Sequence, residues 1–319
     1  MKKFLISIDT EGDNLWDWKA GDQIFTENAK YLDRFQNLCN QYGFKPTYLT
    51  NYEMITDDQF RSWLKRKAHI KECEVGMHLH AWSTPPYVKL NHQSATPAQP
   101  YLIEYDTETI NLKVSTMTEA LSQAVELQIT THRSGRWAMD DRYFAALAAH
   151  GYKIDCSVTP YVDWSAYPGE TEGSKGSNYS DYPEHPYIVS CKNGSILEIP
   201  VTIRNTKHLF YDHLRPREIG SAVKKALRGQ KIWLRPNGSN LKQMMWLVEQ
   251  IANDPNSDYI MFMLHSSELM PGGSPTFQSN ESIEHLYEDL NVVFKEVSKN
   301  FEGCTIDEYG SNLLSKGIS

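Results

Sequence analysis

Four short stretches of this 319-residue chain carry side chains whose types and spacing suit chemistry at one shared centre. The first is Asp9-Thr10-Glu11-Gly12-Asp13, directly after the apolar residues 4–8. Side chains alternate along an extended segment, so Asp9 and Glu11 point to the same side. Two carboxylates placed that way resist joint ionisation unless a cation lies between them or one keeps its proton. The second is Gly76-Met77-His78-Leu79-His80-Ala81-Trp82, where imidazoles at i and i+2 share one side at a spacing that chelates a divalent ion. The third is Thr131-His132-Arg133-Ser134-Gly135-Arg136-Trp137, in which Arg133 is a permanently charged fork suited to holding a carboxylate such as Asp9. The fourth is His265-Ser266-Ser267-Glu268, a polar cluster that follows six apolar residues, as where a buried strand surfaces. Each stretch alone has a plainer explanation: a solvated acidic turn, hydrogen-bonded histidines beside a core Trp, a structural ion pair, a satisfied core histidine.

What positions them is a rhythm of short apolar runs alternating with helical periodicity, the pattern of a parallel sheet or barrel with crossover helices. Strands are expected at residues 4–8, 47–50, 74–78, 129–133, 153–158, 196–201, 231–235 and 259–265. Helices are expected over 28–42, 142–150, 240–252 and 282–299, with Asp140 capping the second. All four chemistry-bearing stretches follow an expected strand, and in α/β barrels those ends open on one shared face. Two stretches interrupt the rhythm. Residues 83–113 hold four prolines, and residues 161–186 are rich in Tyr, Gly, Ser and Pro. Both read as long loops over the C-terminal face that wall a site.

Composition narrows the classes. With 32 Lys+Arg against 40 Asp+Glu the net charge is −8, opposite in sign to a nucleic-acid-binding surface. No apolar run approaches the roughly 20 residues that a membrane-crossing helix needs. The opening Met1-Lys2-Lys3 is basic, but only five apolar residues follow before carboxylates, too few for a secretion signal. The five cysteines are odd in number, widely spaced and contain no CxxC pair, which fits reduced thiols. A single domain spanning residues 1–319 and a cytoplasmic location are therefore expected.

In their order along the chain these motifs resemble the polysaccharide deacetylase superfamily (NodB homology, carbohydrate esterase family 4), in its divergent bacterial branch tied to surface-polysaccharide and O-antigen biosynthesis. Ile6-Ser7-Ile8-Asp9-Thr10-Glu11 stands at the family's aspartate motif and Gly76-Met77-His78-Leu79-His80 at its metal-histidine motif. His132-Arg133-Ser134-Gly135-Arg136-Trp137, with the strand from Gly151 to Val158, stands at its arginine motif, and Leu264-His265 at its closing motif. The resemblance implies an irregular (β/α) barrel of about seven parallel strands. It implies Asp9 as general base, Arg133 as the group orienting it and His265 as general acid. Metal ligands would be Glu11, His78 and His80, with Asp9 shared or Asp13 as a rival, around a divalent ion, Zn²⁺ by family habit. The sequence departs from the pattern in its spaced rather than adjacent carboxylates, and in Trp82 standing where the second histidine is usual.

The implied reaction is hydrolysis of an N-acetyl group from an acetamido sugar, on a nucleotide-linked or lipid-linked precursor. Trp82, Arg136, Trp137 and Trp164 are candidate substrate contacts. Two other readings stay open. An amidohydrolase or phosphoesterase barrel also uses HxH, but on its first strand, where this chain has carboxylates. A barrel that lost its metal could bind glycans through its 8 Trp and 18 Tyr without hydrolysing them.

Overall fold

The computed structural model describes residues 1–13, 15, 16, 19, 22–87, 100–208, 210 and 229–318. Seven parallel strands form a curled sheet in the order β10 (Tyr259–His265), β1 (Lys2–Thr10), β2 (Pro46–Thr50), β3 (Glu74–Leu79), β4 (Thr131–Ser134), β5 (Ile154–Asp155) and β7 (Gly194–Glu198). β6 (Tyr187–Cys191) adds an antiparallel edge to β7, and β11 (Phe301–Gly303) pairs with the start of β1. This is the expected irregular (β/α) barrel of about seven parallel strands. The gap between β7 and β10 is closed by single bonds rather than a ladder: Met261 N–H donates to Thr202 Oγ1 (2.8 Å), Tyr259 Oη–H to Pro200 O (2.6 Å) and Met263 N–H to Leu234 O (3.2 Å).

Residues 231–235 depart from expectation. They contribute to β9 (Gln230–Trp233), which pairs antiparallel with β8 (Ile203–Thr206) in a separate two-stranded sheet. Just beyond it, Leu234 O accepts from Met263 N–H (3.2 Å) and Arg235 Nη2 lies 3.1 Å from His265 Nδ1, so the segment meets β10 through single contacts. A short β-branched and aromatic run carries no information about which partner it meets, so periodicity alone could not tell hairpin from barrel stave.

Helices pack outside the sheet: α1 (Leu32–Gln41), α2 (Tyr52–Thr56), α3 (Asp58–His69), α4 (Thr107–Val125), α5 (Asp141–Ala149), α6 (Leu241–Asn253) and α7 (Asn280–Val297), while α8 (Ile306–Ser315) follows β11. Asp140 caps α5 by accepting from Tyr143 N–H (2.9 Å). In α7, Ile283, Leu286, Leu290, Val293 and Val297 recur at helical spacing and are all buried. The loop expected over 83–113 ends early. Asp106 accepts from Thr109 N–H (2.7 Å) and starts α4, whose apolar face (Ile110, Val114, Met117, Leu121, Val125) lies mostly beyond the stretch read as loop. Residues 88–99 lie outside the described residues. The excursion over 161–186 is a loop pinned by two isolated bridges, Asp163 to Asn178 and Pro168 to Lys175.

Alternation along the strands separates two cores. Phe4, Ile6 and Ile8 of β1 face the helices, whereas Leu5 joins Leu49, Ile154, Cys156, Leu197 and Met261 inside the barrel. Ile306 and Tyr309 of α8 belong to that inner cluster and stop the end opposite the strand C-termini. The polar continuation of the same inward rows at the other end forms the site.

At the closed end Glu74 ties β3 to β2 and α8, accepting from Thr47 Oγ1 (2.7 Å) and Asp307 N–H (3.0 Å). Burial, which outweighs these bonds, pushes its carboxyl up to about 7. The folded chain therefore holds a proton that the unfolded chain releases, and stability falls as pH rises through roughly 5 to 8. Glu74→Gln is expected to remove up to about 3 kcal/mol of that slope in urea unfolding measured across this range. An unchanged slope contradicts the assignment.

Candidate metal centre and cleft

β1 and β3 lie two strands apart, and their inward rows end in Asp9 and Glu11 from one and His78 and His80 from the other. Asp9 is level with His265 on β10, and His78 with Arg133 on β4. Asp9, Glu11, His78, His80 and His265 line one cleft of about 390 Å³, whereas Arg133 is fully buried beneath it.

Arg133 is the hub under the site. Its Nη1–H donates to Asp9 Oδ1 (2.6 Å), Nε–H to Cys156 O (3.0 Å) and Nη2–H to Met261 Sδ (3.4 Å), so one side chain joins β4 to β1, β10 and the residue after β5 through the barrel. Burial pushes the Asp9 carboxyl up, but Arg133, with His78 and His265, holds it below the usual carboxylate range. His132 alternates to the outer face. There its Nδ1 is 2.6 Å from Asp155 Oδ1 and its Nε2 2.6 Å from Tyr143 Oη, away from the cleft.

Glu11, His78 and His80 converge. His78 Nε2 is 3.6 Å and His80 Nε2 3.2 Å from Glu11 Oε2, and the two nitrogens are 3.0 Å apart. His78 Nδ1 is 3.0 Å from Arg133 O, and a carbonyl only accepts, so Nδ1 carries a hydrogen and Nε2 is the atom turned toward Glu11. Burial pushes the Glu11 carboxyl up, yet His265, His78 and His80 together hold it well below its ordinary value. A carboxylate oxygen and two imidazole nitrogens, all within 4.8 Å of one another, are the donor set and spacing of a single divalent ion with open positions. Gly135 makes room for this arrangement: a Cβ there would lie 2.5 Å from His80 Cδ2 and 2.6 Å from Leu79 O.

The rival ligands fall elsewhere. Asp13 is buried with its carboxyl toward the backbone of Glu27, and burial pushes it up. Asp9 is committed to Arg133 through Oδ1 and is not part of the Glu-His-His group.

On the other flank His265 Nε2 is 3.9 Å from both Asp9 Oδ2 and Glu11 Oε1, and His265 Nδ1 is 3.0 Å from Glu268 Oε2. Arg235 Nη2–H donates to Glu268 at 3.2 Å, and with His265 it holds that buried carboxylate below its usual range against desolvation. The aromatic candidates line the same cleft. Trp82 stacks on the His80 ring (4.3 Å, 23°), Trp137 lies under Arg133 (5.1 Å), and Trp164 donates to Thr159 Oγ1 (2.9 Å). Arg136 stands 5.7 Å over Trp82. Arg136 and Trp137 both have left-handed backbones (φ 55° and 62°), a strain of order 1–3 kcal/mol each that the surroundings must hold. Ser134 Oγ–H to Ala138 O (2.7 Å) and Tyr179 Oη–H to Trp137 O do so.

The sequence reading missed Trp16, Tyr101, Tyr167, Arg235 and Glu268. Arg235 closes an expected strand and Glu268 follows another by three residues, so the rule that placed His265 would have found both. Trp16, Tyr101 and Tyr167 sit in segments without periodicity and left no signal.

No family model matches the chain, and no curated protein is similar to it in sequence. Solved structures are similar in fold. A Mycobacterium smegmatis protein assigned to the polysaccharide deacetylases aligns over 100% of this chain and 92% of its own, with TM-score 0.55 and 12% identity. A Parabacteroides distasonis protein assigned as a glycoside hydrolase/deacetylase aligns over 100% and 72%, with TM-score 0.57 and 11% identity. A 4-alpha-glucanotransferase from Thermococcus litoralis aligns over 98% of this chain but 40% of its own, with TM-score 0.55 and 12% identity.

The buried Asp9–Arg133 pair should behave as a unit. Arg133→Leu is expected to cost about 3–5 kcal/mol in urea unfolding by stranding the Asp9 charge, and adding Asp9→Leu should recover most of that loss. A single variant costing under about 1 kcal/mol contradicts the pairing. With its curled sheet of seven parallel strands, the chain is similar in fold to the solved polysaccharide deacetylase, glycoside hydrolase/deacetylase and glucanotransferase structures.

Proposed function

We propose that this chain hydrolyses the N-acetyl group of an acetamido sugar, carried on a nucleotide-linked or lipid-linked precursor, in bacterial surface-polysaccharide or O-antigen biosynthesis. The observation that carries the reading is the flanking of one candidate ion site by a fixed carboxylate and an imidazole in the same cleft. Support from the fold is limited to architecture, because the same barrel serves the glucanotransferase; the chemistry rests on the site.

Glu11, His78 and His80 would hold a divalent ion, Zn²⁺ in our reading, a two-histidine, one-carboxylate set with room for further ligands. Bound there, the ion supplies a Lewis acid that lowers the pKa of water and polarises the acetyl carbonyl. The protein's own residues do the rest. Arg133 occupies Asp9 Oδ1, which leaves Oδ2 as the oxygen that accepts the proton of the attacking water. His265 presents Nε2 to the same space and protonates the departing sugar nitrogen as the C–N bond breaks, giving acetate and the free amine. Glu268, held by Arg235, fixes the orientation of the His265 ring through Nδ1. Glu53 Oε1, 4.0 Å from His80 Nδ1, is placed to orient that ligand. Trp16, Trp82, Tyr101, Trp137, Trp164 and Tyr167 offer ring faces for the sugar and keep bulk water from the cleft.

Among the described residues no helix is long and apolar enough to cross a membrane. All five cysteines are free thiols, which supports placing the enzyme in the reducing cytoplasm with activated precursors.

Purified protein incubated with added Zn²⁺ or Co²⁺ and a panel of acetamido sugars and their nucleotide forms is expected to release acetate. Asp9→Asn should lower the rate by about 10²–10⁴-fold while the metal content stays at one equivalent. Metal-loaded protein that releases no acetate from any member overturns the reading. Metal-free protein that still binds the sugars would be a glycan-binding barrel instead.

A further inference from the structure

The guanidiniums of the cleft are not equally committed. Arg133 is consumed by Asp9 and Arg235 by Glu268. Arg136 is exposed, lines the cleft, and among the described residues forms no ion pair with a carboxylate. The neighbouring Glu104 carboxylate is spent on the loop, accepting from Glu170 N–H (2.9 Å) and Thr171 N–H (2.8 Å).

What Arg136 has instead is an aromatic seat. Its Cζ lies 5.7 Å from the Trp82 ring and 6.0 Å from the Tyr101 ring. Ring faces attract the cation without using its N–H donors. Tyr101 is itself anchored, donating from Oη to Tyr167 O (3.0 Å). The Tyr101 hydroxyl also takes a hydrogen bond from Arg136, so the guanidinium is pre-positioned with its remaining donors uncommitted to any carboxylate among the described residues. It is reached through Trp82, which stacks directly on the candidate ligand His80. Two consecutive non-glycine residues in the left-handed region carry Arg136 to this place, a backbone cost maintained by the loop around it. In a chain of net charge −8, an uncommitted fork one ring away from the candidate metal centre points to a ligand with negative charge.

We infer that Arg136 is the anchor for an anionic oxygen pair, phosphoryl or carboxylate, borne by the substrate on the far side of Trp82 from the acetamido group. The planar fork meets such a pair with two parallel N–H···O bonds, which an uncharged sugar cannot accept as strongly. The substrate class then becomes a charged acetamido sugar, not a neutral chain such as chitin. The inference rests on the proposed deacetylase reading only for where the acetamido group sits.

The test is calorimetric titration of the metal-loaded protein with four probes: N-acetylglucosamine, its 1-phosphate, its uridine diphosphate form and N-acetylmuramic acid. At least one anionic probe is expected to bind at least about tenfold tighter than the neutral sugar. In Arg136→Gln that ratio should collapse to within about twofold, and Arg136→Lys, which keeps charge but not the fork, should retain part of it. The 1-phosphate, the nucleotide and the carboxylate separate the sources of the anion. Repeating the titrations after chelation separates binding to the cation itself from binding to Arg136. Equal affinities in the wild type, undetectable binding of every anionic probe, or a preference that survives in Arg136→Gln overturns the inference. Acetate release read in parallel keeps the two ideas apart. Release without anion preference sinks the anchor and leaves the deacetylase; preference without release does the reverse.

Discussion

Asp9 and Glu11 are 2% and 7% exposed, two residues apart on the same side of one strand, and both are held below the usual carboxylate range. Burial of like charges at this spacing is sustained only where positive charge is brought to each. Arg133 meets the first demand with a 2.6 Å ion pair inside the barrel. Around the second stand the imidazoles of His78, His80 and His265, and the Glu11, His78 and His80 donor atoms converge as they would around a cation. The rest of the site follows from how the chain satisfies that electrostatic demand.

The fold meets it through parity. Leu5, Ser7, Asp9 and Glu11 alternate with Phe4, Ile6 and Ile8, so the row that fills the barrel floor with apolar atoms becomes charged at its rim. A shift of one residue in β1 would turn both carboxylates into the helix layer. β3 obeys the same rule, with Val75, Met77 and Leu79 outward and His78 and His80 inward. Apolar closure by α8 at one end leaves the other end open, and the two loops beyond β3 and β5 put aromatic faces around it.

This logic explains what could be read in the sequence. Strand positions, the facing of Asp9 with Glu11 and of His78 with His80, and the reach of Arg133 depend on period-two alternation, which is local. The allegiance of residues 231–235 to a hairpin depends on a partner strand that no local pattern names. The start of α4 was hidden because its N-cap, Asp106, lies in a proline-rich approach while its apolar stripe lies downstream. Choice among Asp9, Glu11 and Asp13 was likewise nonlocal: Asp13 follows the chain as it leaves the strand, and its carboxyl turns to the backbone of Glu27. Trp16, Tyr101 and Tyr167 are brought to the cleft by loop geometry alone.

The central claim is that Glu11, His78 and His80 share one ion, and X-ray absorption of the protein titrated with Zn²⁺ tests it most directly. The account predicts one tightly held ion with oxygen and nitrogen neighbours at about 2.0–2.1 Å, two of them imidazoles, and no sulfur at about 2.3 Å. A shell of water alone, a sulfur ligand, or a spectrum unchanged by His80→Ala would contradict it.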